Sequence, residues 1–469
     1  MEEAKIYIHA LLTQNKFELK DSKITLFNEF ISNENNINSV RIIQENQKMI
    51  MANWKLKTRI DDVISQSIFL PNGTVNKQYQ AKIDFEKLGW DDIVSFEIQG
   101  LEDTGLQFNN SEELISGIPE KSGDLKIKLL FRIDDEPENS ILNEKSITII
   151  INPDPKSLWK DTESDKNDPF WKEDNVAVAD RFLDKKLVVA SKRGRSHANV
   201  GSFRDDDFAF KNINDTGWSV IAVSDGAGSA PLARHGSKIA CESVVKYFEQ
   251  IFTKEYLKDF DETLLNHSQN PDEESSKKIS LFAYNNLSKG AHFTHKEIEK
   301  FALANEKELK DFHATLIFAL VKKYDFGYAF LTFGVGDCPI GLLNKDLTEI
   351  TLMNWLDVGE FGGGTRFVTM PEIFQSDKFS TRFGFKMVDD FSYFMLMTDG
   401  IYDPKFVVEA NLEKIESWKE FLEDLKGKNE DNCKVDFNKE NDEIAEELSK
   451  WMDFWNPGNH DDRTLAIIY

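Results

Sequence analysis

The stretch Trp218-Ser-Val-Ile-Ala-Val-Ser-Asp-Gly-Ala-Gly-Ser229 constrains this chain more than any other. Residues 218–223 form a short apolar run, rich in β-branched residues and too short for a free-standing helix, so they read as a buried strand. Asp225 then stands at the strand mouth, followed by a Gly-Ala-Gly turn, and residues 231–247 read as a helix. An ionisable side chain in that position is costly unless it is paired or bound to a metal. The arrangement recurs. Phe330-Leu-Thr-Phe-Gly-Val-Gly runs into Asp337, Tyr393-Phe-Met-Leu-Met-Thr runs into Asp399, and Asp461 precedes the strand Thr464-Leu-Ala-Ile-Ile-Tyr469. Strands that end on carboxylates predict a sheet core whose rim gathers acidic groups, and hard oxygen ligands suit Mg²⁺ or Mn²⁺ rather than zinc.

A chain of 469 residues has room for two domains. Its net charge of -25, with no basic tract to offset it, argues against a nucleic-acid partner. Cys241, Cys338 and Cys433 lie far apart without CxxC spacing, which suits a reducing compartment. The N-terminal Met-Glu-Glu-Ala-Lys lacks the apolar region of a signal peptide, and no run of apolar residues is long enough to span a bilayer. The expected location is cytoplasmic, with no membrane association.

Residues 1–152 read as all-β. Strand candidates include 6–12, 40–43, 79–85, 93–98, 125–133 and 146–151, several with alternating apolar and polar residues, and Pro71-Asn-Gly marks a turn. Their spacing favours a β-sandwich. Leu114-Ile-Ser-Gly-Ile-Pro-Glu-Lys-Ser-Gly-Asp-Leu-Lys-Ile resembles a signature of bacterial immunoglobulin-like domains. His9 reads as a strand residue without chemistry. Residues 153–173, with three prolines and many charges, are the expected linker, held to one domain by Trp159, Phe170 and Trp171. Residues 174–469 alternate strands with helical blocks at about 234–254, 272–290, 294–309 and 405–455, and strand 314–321 is expected to pair with 327–335. That pattern indicates a mixed α/β or α+β domain.

Arg204-Asp-Asp-Asp-Phe-Ala, Val223-Ser-Asp-Gly-Ala-Gly-Ser229, Gly334-Val-Gly-Asp-Cys338, Met397-Thr-Asp-Gly-Ile-Tyr-Asp403 and Asp461-Asp-Arg-Thr464 follow one another in an order that resembles the metal-dependent protein phosphatases of the protein phosphatase 2C type, over about 187–469. The resemblance implies an α+β fold whose C-terminal domain is an αββα four-layer sandwich, two central antiparallel sheets flanked by helices. It implies two Mg²⁺ or Mn²⁺ ions at one end of the sheets. Asp206 and Asp225 match ligands, Asp225 bridging both ions and Gly226 offering its carbonyl. Asp399 and Asp461 match ligands of one ion, Asp337 matches the position tied to a third, weaker ion, and Asp205 matches a Glu that holds a metal-bound water. The implied activity is hydrolysis of phosphoserine or phosphothreonine by a hydroxide bridging two ions. Two cations neutralise phosphate oxygens and lower the pKa of water, so no covalent intermediate is needed. No cysteine sits in a Cys-x5-Arg loop, and Cys338 reads as a packing residue.

The sequence departs from the family pattern at Ala227, where many members carry a His proposed to protonate the leaving group, and at Gly201, where an Arg grips phosphate. A metal-bound water, His197 or His235 is left for the first role. Arg195 or His197 is the choice for the second, with Arg204 next. Phe361-Gly-Gly-Gly-Thr365 lacks the Gly-Lys-Ser/Thr of a phosphate loop and reads as a flap. His292 and His295 read as surface residues. The expectation is a metal-dependent serine/threonine phosphoprotein phosphatase. Its alternative is a catalytically weak or inactive scaffold of the same fold that binds phosphoproteins. By analogy with bacterial relatives, a protein kinase and a von Willebrand-type protein are the expected partners besides the substrate.

Overall fold

The computed structural model describes residues 2–213, 215–357 and 364–469. The chain divides into two compact units, Met1–Leu158 and Trp159–Tyr469.

The first unit opens with helices α1 (Glu2–Gln14), α2 (Ile24–Ile31) and α3 (Glu34–Ser65). The strands expected at 6–12 and 40–43 therefore do not form, and the all-β reading of 1–152 fails for its first 65 residues. The reason is visible in burial. Ala4 and Ile8 are buried four residues apart, a helical period, and α3 runs from its Asn33 cap, which accepts from Asn35 N–H, with no Gly or Pro to stop it. Strands β1 (Gly73–Thr74) and β2 (Tyr79–Lys82) follow, then α4 (Phe85–Leu88) and β3 (Ile93–Gln99), β4 (Leu106–Asn109), β5 (Leu114–Gly117), β6 (Gly123–Ile133) and β7 (Asn143–Asn152). They form sheets ordered β1-β7-β6-β3 and β2-β5-β4. Along β7 burial alternates, with Ile147, Ile149 and Ile151 inward. Buried Lys145 donates from Nζ to the Ile64 carbonyl at 2.8 Å and to that of Gln66, which fastens the C-terminus of α3 to the sheet.

The second unit is mixed α+β. Its elements are β8 (Asn175–Phe182), β9 (Lys185–Lys192), α5 (Arg195–Val200), β10 (Asp207–Ile213), β11 (Trp218–Ser224), α6 (Ala233–Ile251), α7 (Lys254–Gln269), α8 (Glu273–Ala304), β12 (Leu316–Tyr324), β13 (Gly327–Val335), β14 (Ile340–Asn344), β15 (Ile350–Leu352), β16 (Phe383–Val388), β17 (Phe391–Met397), α9 (Asp399–Phe406), α10 (Ile415–Leu425), α11 (Ile444–Trp451) and β18 (Arg463–Ile468). One sheet has the order β10-β11-β12-β13-β16 and the other β15-β14-β17-β18-β9-β8, all antiparallel. The expected pairing of 314–321 with 327–335 is the β12–β13 hairpin.

Two expected helices, 272–290 and 294–309, are one continuous α8, because the stretch between them holds no breaker. Helix α7 was not expected. It buries Leu257, Phe260 and Leu264 at helical spacing behind a Thr253 cap. The central strands β9, β11, β12, β13, β17 and β18 are buried on both faces because each lies between two cores. In β12, Leu316, Phe318 and Leu320 join Val244, Phe248 and Leu287 of α6 and α8, while Ile317, Ala319 and Val321 join Phe394, Leu396 and Ala466 of the other sheet. Met395, Met397, Leu465 and Ile467 meet Trp418, Phe421 and Leu448 of α10 and α11. The ends of β11, β13, β17 and β18 carry the acidic residues.

The proline-containing segment from Trp159 onward belongs to this unit. The Trp159 ring lies 4.5 Å from His460, Phe170 lies 5.3 Å from His235, and Trp171 Nε1 donates to Ser164 Oγ at 3.0 Å. Among the described residues, no helix is long and apolar enough to cross a membrane.

Candidate metal centre

Asp225 follows β11, and its N–H donates to Thr315 Oγ1 at 2.9 Å while its carbonyl accepts from Thr315 N–H at 2.8 Å. Asp206 is fully buried, and its Oδ2 accepts from Thr398 Oγ1 and Thr464 Oγ1, each at 2.8 Å. Thr398 is the residue between β17 and α9 and Thr464 lies within β18, so one carboxylate ties three segments together. Asp399 opens α9. Asp337 follows β13, and its Oδ2 accepts from Thr365 Oγ1 at 2.8 Å. Backbones approach closely here. A Cβ on Gly226 would sit 2.7 Å from the Asp205 carbonyl oxygen, and one on Gly194 would sit 2.3 Å from the main chain of Asp461.

The carboxylates crowd one another. Burial, then the charges of Asp399, Asp206, Asp461 and Asp337, hold Asp225 well above the usual carboxylate range. Burial and then Asp461, Asp337 and Asp206 do the same to Asp399. Burial and Asp462 raise Asp205 and Asp206 to about 7. Asp337 is raised chiefly by burial, and Asp461, the most exposed of the group, by partial desolvation and then Asp462. Among the described residues, Asp206 Oδ1, Asp337 Oδ1 and Asp399 Oδ1 are buried without a hydrogen-bond partner. Orphaned carboxylate oxygens inside an acidic cluster are expensive, and hard divalent cations satisfy them. Asp225, Asp337 and Cys338 can bring one ligand atom each within 4.8 Å of one another. The carboxylate oxygens that predominate in the cluster suit a hard divalent metal. The Cys338 thiol is buried, 3.4 Å from Thr315 Oγ1 and pushed well up by burial, so it packs as expected.

Two residues organise the cluster without having been expected to. Asp462 is buried and accepts from the N–H groups of Gly194 and Asp205 and from His197 Nδ1. Burial works against its charge, but the His197 contact and the main-chain donors hold its carboxyl below the usual range. Only the Asp461-Asp462 doublet in the sequence pointed to it. Lys172 is also buried. Its Nζ donates to the Asp206 carbonyl at 2.7 Å, to Asp207 Oδ2 at 2.9 Å and to Ser237 Oγ at 3.3 Å. Nothing in the sequence signalled this, because the partners lie more than thirty residues away.

His197 Nε2 stands 3.8 Å from Asp205 Oδ2. Burial opposes its protonation, but Asp462, Asp205 and Asp461 overcome that and hold the imidazole up to about 9. Arg195 donates from Nη2 to the Asp453 carbonyl at 2.6 Å and lies over Trp455. Arg204 is buried on the Glu173 and Asp206 carbonyls and on Ser191 Oγ, so it has no free face for phosphate. His235 packs between Phe170 and Phe301, and burial lowers it to about 4. Of the expected surface pair, His292 is exposed, but His295 is buried with Nδ1 2.9 Å from the Val368 carbonyl. His9 is exposed on α1. Within the expected flap, residues 361–363 lie outside the described residues.

The family model described as Protein phosphatase 2C matches residues 193–452, more than half of the chain. The chain belongs to the protein phosphatase 2C family. It is therefore an enzyme of the serine/threonine phosphatase class, a hydrolase dependent on divalent metal and acting on phosphorylated protein. Its fold is similar to the serine/threonine phosphatase Stp1 from Staphylococcus aureus, with 12% identity, 61% of this chain and 95% of that chain covered, and a TM-score of 0.35. The S. agalactiae serine/threonine phosphatase gives 12% identity, 61% and 99% coverage and a TM-score of 0.34. RsbX in complex with magnesium gives 14% identity, 62% and 98% coverage and a TM-score of 0.30. No curated protein matches the sequence.

Proposed function

We propose that this protein phosphatase 2C member hydrolyses phosphoserine and phosphothreonine in proteins at the acidic cluster, with Asp206, Asp225, Asp399, Asp461 and the Gly226 carbonyl holding two Mg²⁺ or Mn²⁺ ions and Asp337 serving a third. The observation that carries this reading is the set of orphaned oxygens on Asp206, Asp337 and Asp399. When bound, divalent cations there neutralise phosphate charge and acidify water. Thr398 and Thr464 aim the Asp206 carboxylate, Asp462 positions His197, and Asp205 faces His197 Nε2. His197, held protonated by Asp462, takes the place of the His absent at Ala227. It grips a phosphate oxygen or gives its proton to the leaving alkoxide. Arg195, engaged by Asp453 and Trp455, is the weaker candidate for phosphate.

The stacking of three cores supports an αββα sandwich for 174–469, and the sheets of 73–152 support an immunoglobulin-like module for partner binding. The implied kinase and von Willebrand-type partners, and a cytoplasmic setting, go with this reading. Retention of each acidic position weighs for the enzyme over the inactive-scaffold alternative, on whose side stand only the departures at Gly201 and Ala227. The test is Mn²⁺-dependent release of phosphate from a phosphothreonine peptide. Full activity in excess chelator would overturn the assignment.

A further inference from the structure

In a chain of net charge -25, residues 46–60 hold Lys48, Lys55, Lys57 and Arg59 and no acidic residue. All lie in α3, which also exposes Ile50 (66%) and Trp54 (65%). Arg59 is committed to Asp92 at 2.7 Å, but among the described residues Lys48, Lys55 and Lys57 are exposed and have no ion-pair partner. Beside this stripe, α1 and α3 enclose an open groove of about 830 Å³, lined by Ile6, Ala10, Met51 and Ala52 with Lys48, Lys55 and Glu3 among its polar residues.

We propose that this groove receives an amphipathic helix of a partner protein that is acidic along one flank. Apolar anchors of that helix would lie against Ile6 and Met51, as in other helix-in-groove complexes. Lys48 and Lys55 are seven residues apart, about 10.5 Å at a rise of 1.5 Å per residue. Carboxylates at i and i+7 of the partner helix match that separation, and a cation on its other flank meets Glu3. A second copy docking the same face would set these lysines against themselves. An anionic membrane is bound by clusters of roughly four to eight cations, whereas Lys48 and Lys55 are the cations that line this groove, Glu3 stands among them, and the chain as a whole is acidic.

The test uses the full chain and synthetic probes. One is an amphipathic helix with a leucine stripe and glutamates seven residues apart, and another has lysines in their place. Vesicles of phosphatidylserine and phosphatidylcholine form the third, and sedimentation velocity reports self-association. The glutamate helix is expected to bind roughly tenfold more tightly than the lysine helix, mainly through on-rate. K48E/K55E is expected to reverse that preference, K48Q/K55Q to abolish it, and K121E to leave it unchanged, all with wild-type helicity by circular dichroism. Equal binding of the two peptides, binding of vesicles alone, or dimerisation that K48E/K55E removes would each overturn the proposal, as would no binding at all.

Discussion

His197 Nδ1 lies 3.1 Å from each carboxylate oxygen of Asp462, so a buried acid sets the orientation and charge of a histidine whose Nε2 faces Asp205. Removing the acid and removing the base are therefore expected to have different signatures.

His197→Ala is expected to lower kcat/KM for a phosphothreonine peptide by about a hundredfold, the range of a lost general acid. Its effect on an aryl phosphate is expected to be several-fold at most, because a phenolate leaves without a proton. Asp462→Asn keeps the histidine but drops its pKa, and its activity is expected to fall at a lower pH than wild type. Equal losses on both substrates would reassign His197 to phosphate binding.

Lys172 neutralises Asp207 and satisfies the Asp206 carbonyl from inside the protein. Lys172→Met leaves Asp207 beside Arg204 at 3.8 Å as its remaining counter-charge. Breaking a buried pair on one side costs roughly 3 kcal/mol. Chemical denaturation is expected to show that loss in the presence of Mn²⁺, and a change within experimental error would mean Lys172 is not structural.

The acidic motifs were legible because each couples an apolar strand to an Asp at its end, a pattern set by local burial. The organising residues were not. Asp462 is indistinguishable from Asp461 in a doublet, and only the fold shows that one accepts main-chain N–H groups while the other stands at the rim. Lys172 sits among prolines and charges that read as a linker, and its partners are carbonyls brought close by tertiary structure. The misreading of residues 6–12 and 40–43 has a different cause. Isoleucines suggest strand by propensity, whereas the burial of Ala4, Ile8 and Val40 against one another follows the helical period.

The pH dependence of stability follows from the crowded carboxyls. In the unfolded chain they titrate near 3.9, whereas in the folded protein Asp205 and Asp206 keep protons up to about 7. A folded pKa above the unfolded value favours the fold at low pH, and the advantage is lost as pH rises through the folded value. In excess chelator, Tm is expected to fall from pH 4 to pH 8. Saturating Mn²⁺ is expected to flatten that fall, because cations bind the ionised cluster. A chelated protein whose Tm rises over the same interval would contradict the assigned crowding.

The most direct test of the metal centre is the thermal response of Asp399→Asn to Mn²⁺. Divalent cation at a hundredfold excess over Kd is expected to stabilise the wild type by about 2.7 kcal/mol. The substitution removes one charge from the cluster and keeps the side-chain size. The metal-free variant is therefore expected to melt no lower than metal-free wild type, to gain much less from Mn²⁺, and to lose phosphate release from the phosphothreonine peptide. A variant that keeps the full Mn²⁺ shift and full activity would show that Asp399 holds no metal, and that the cluster is not the catalytic centre described.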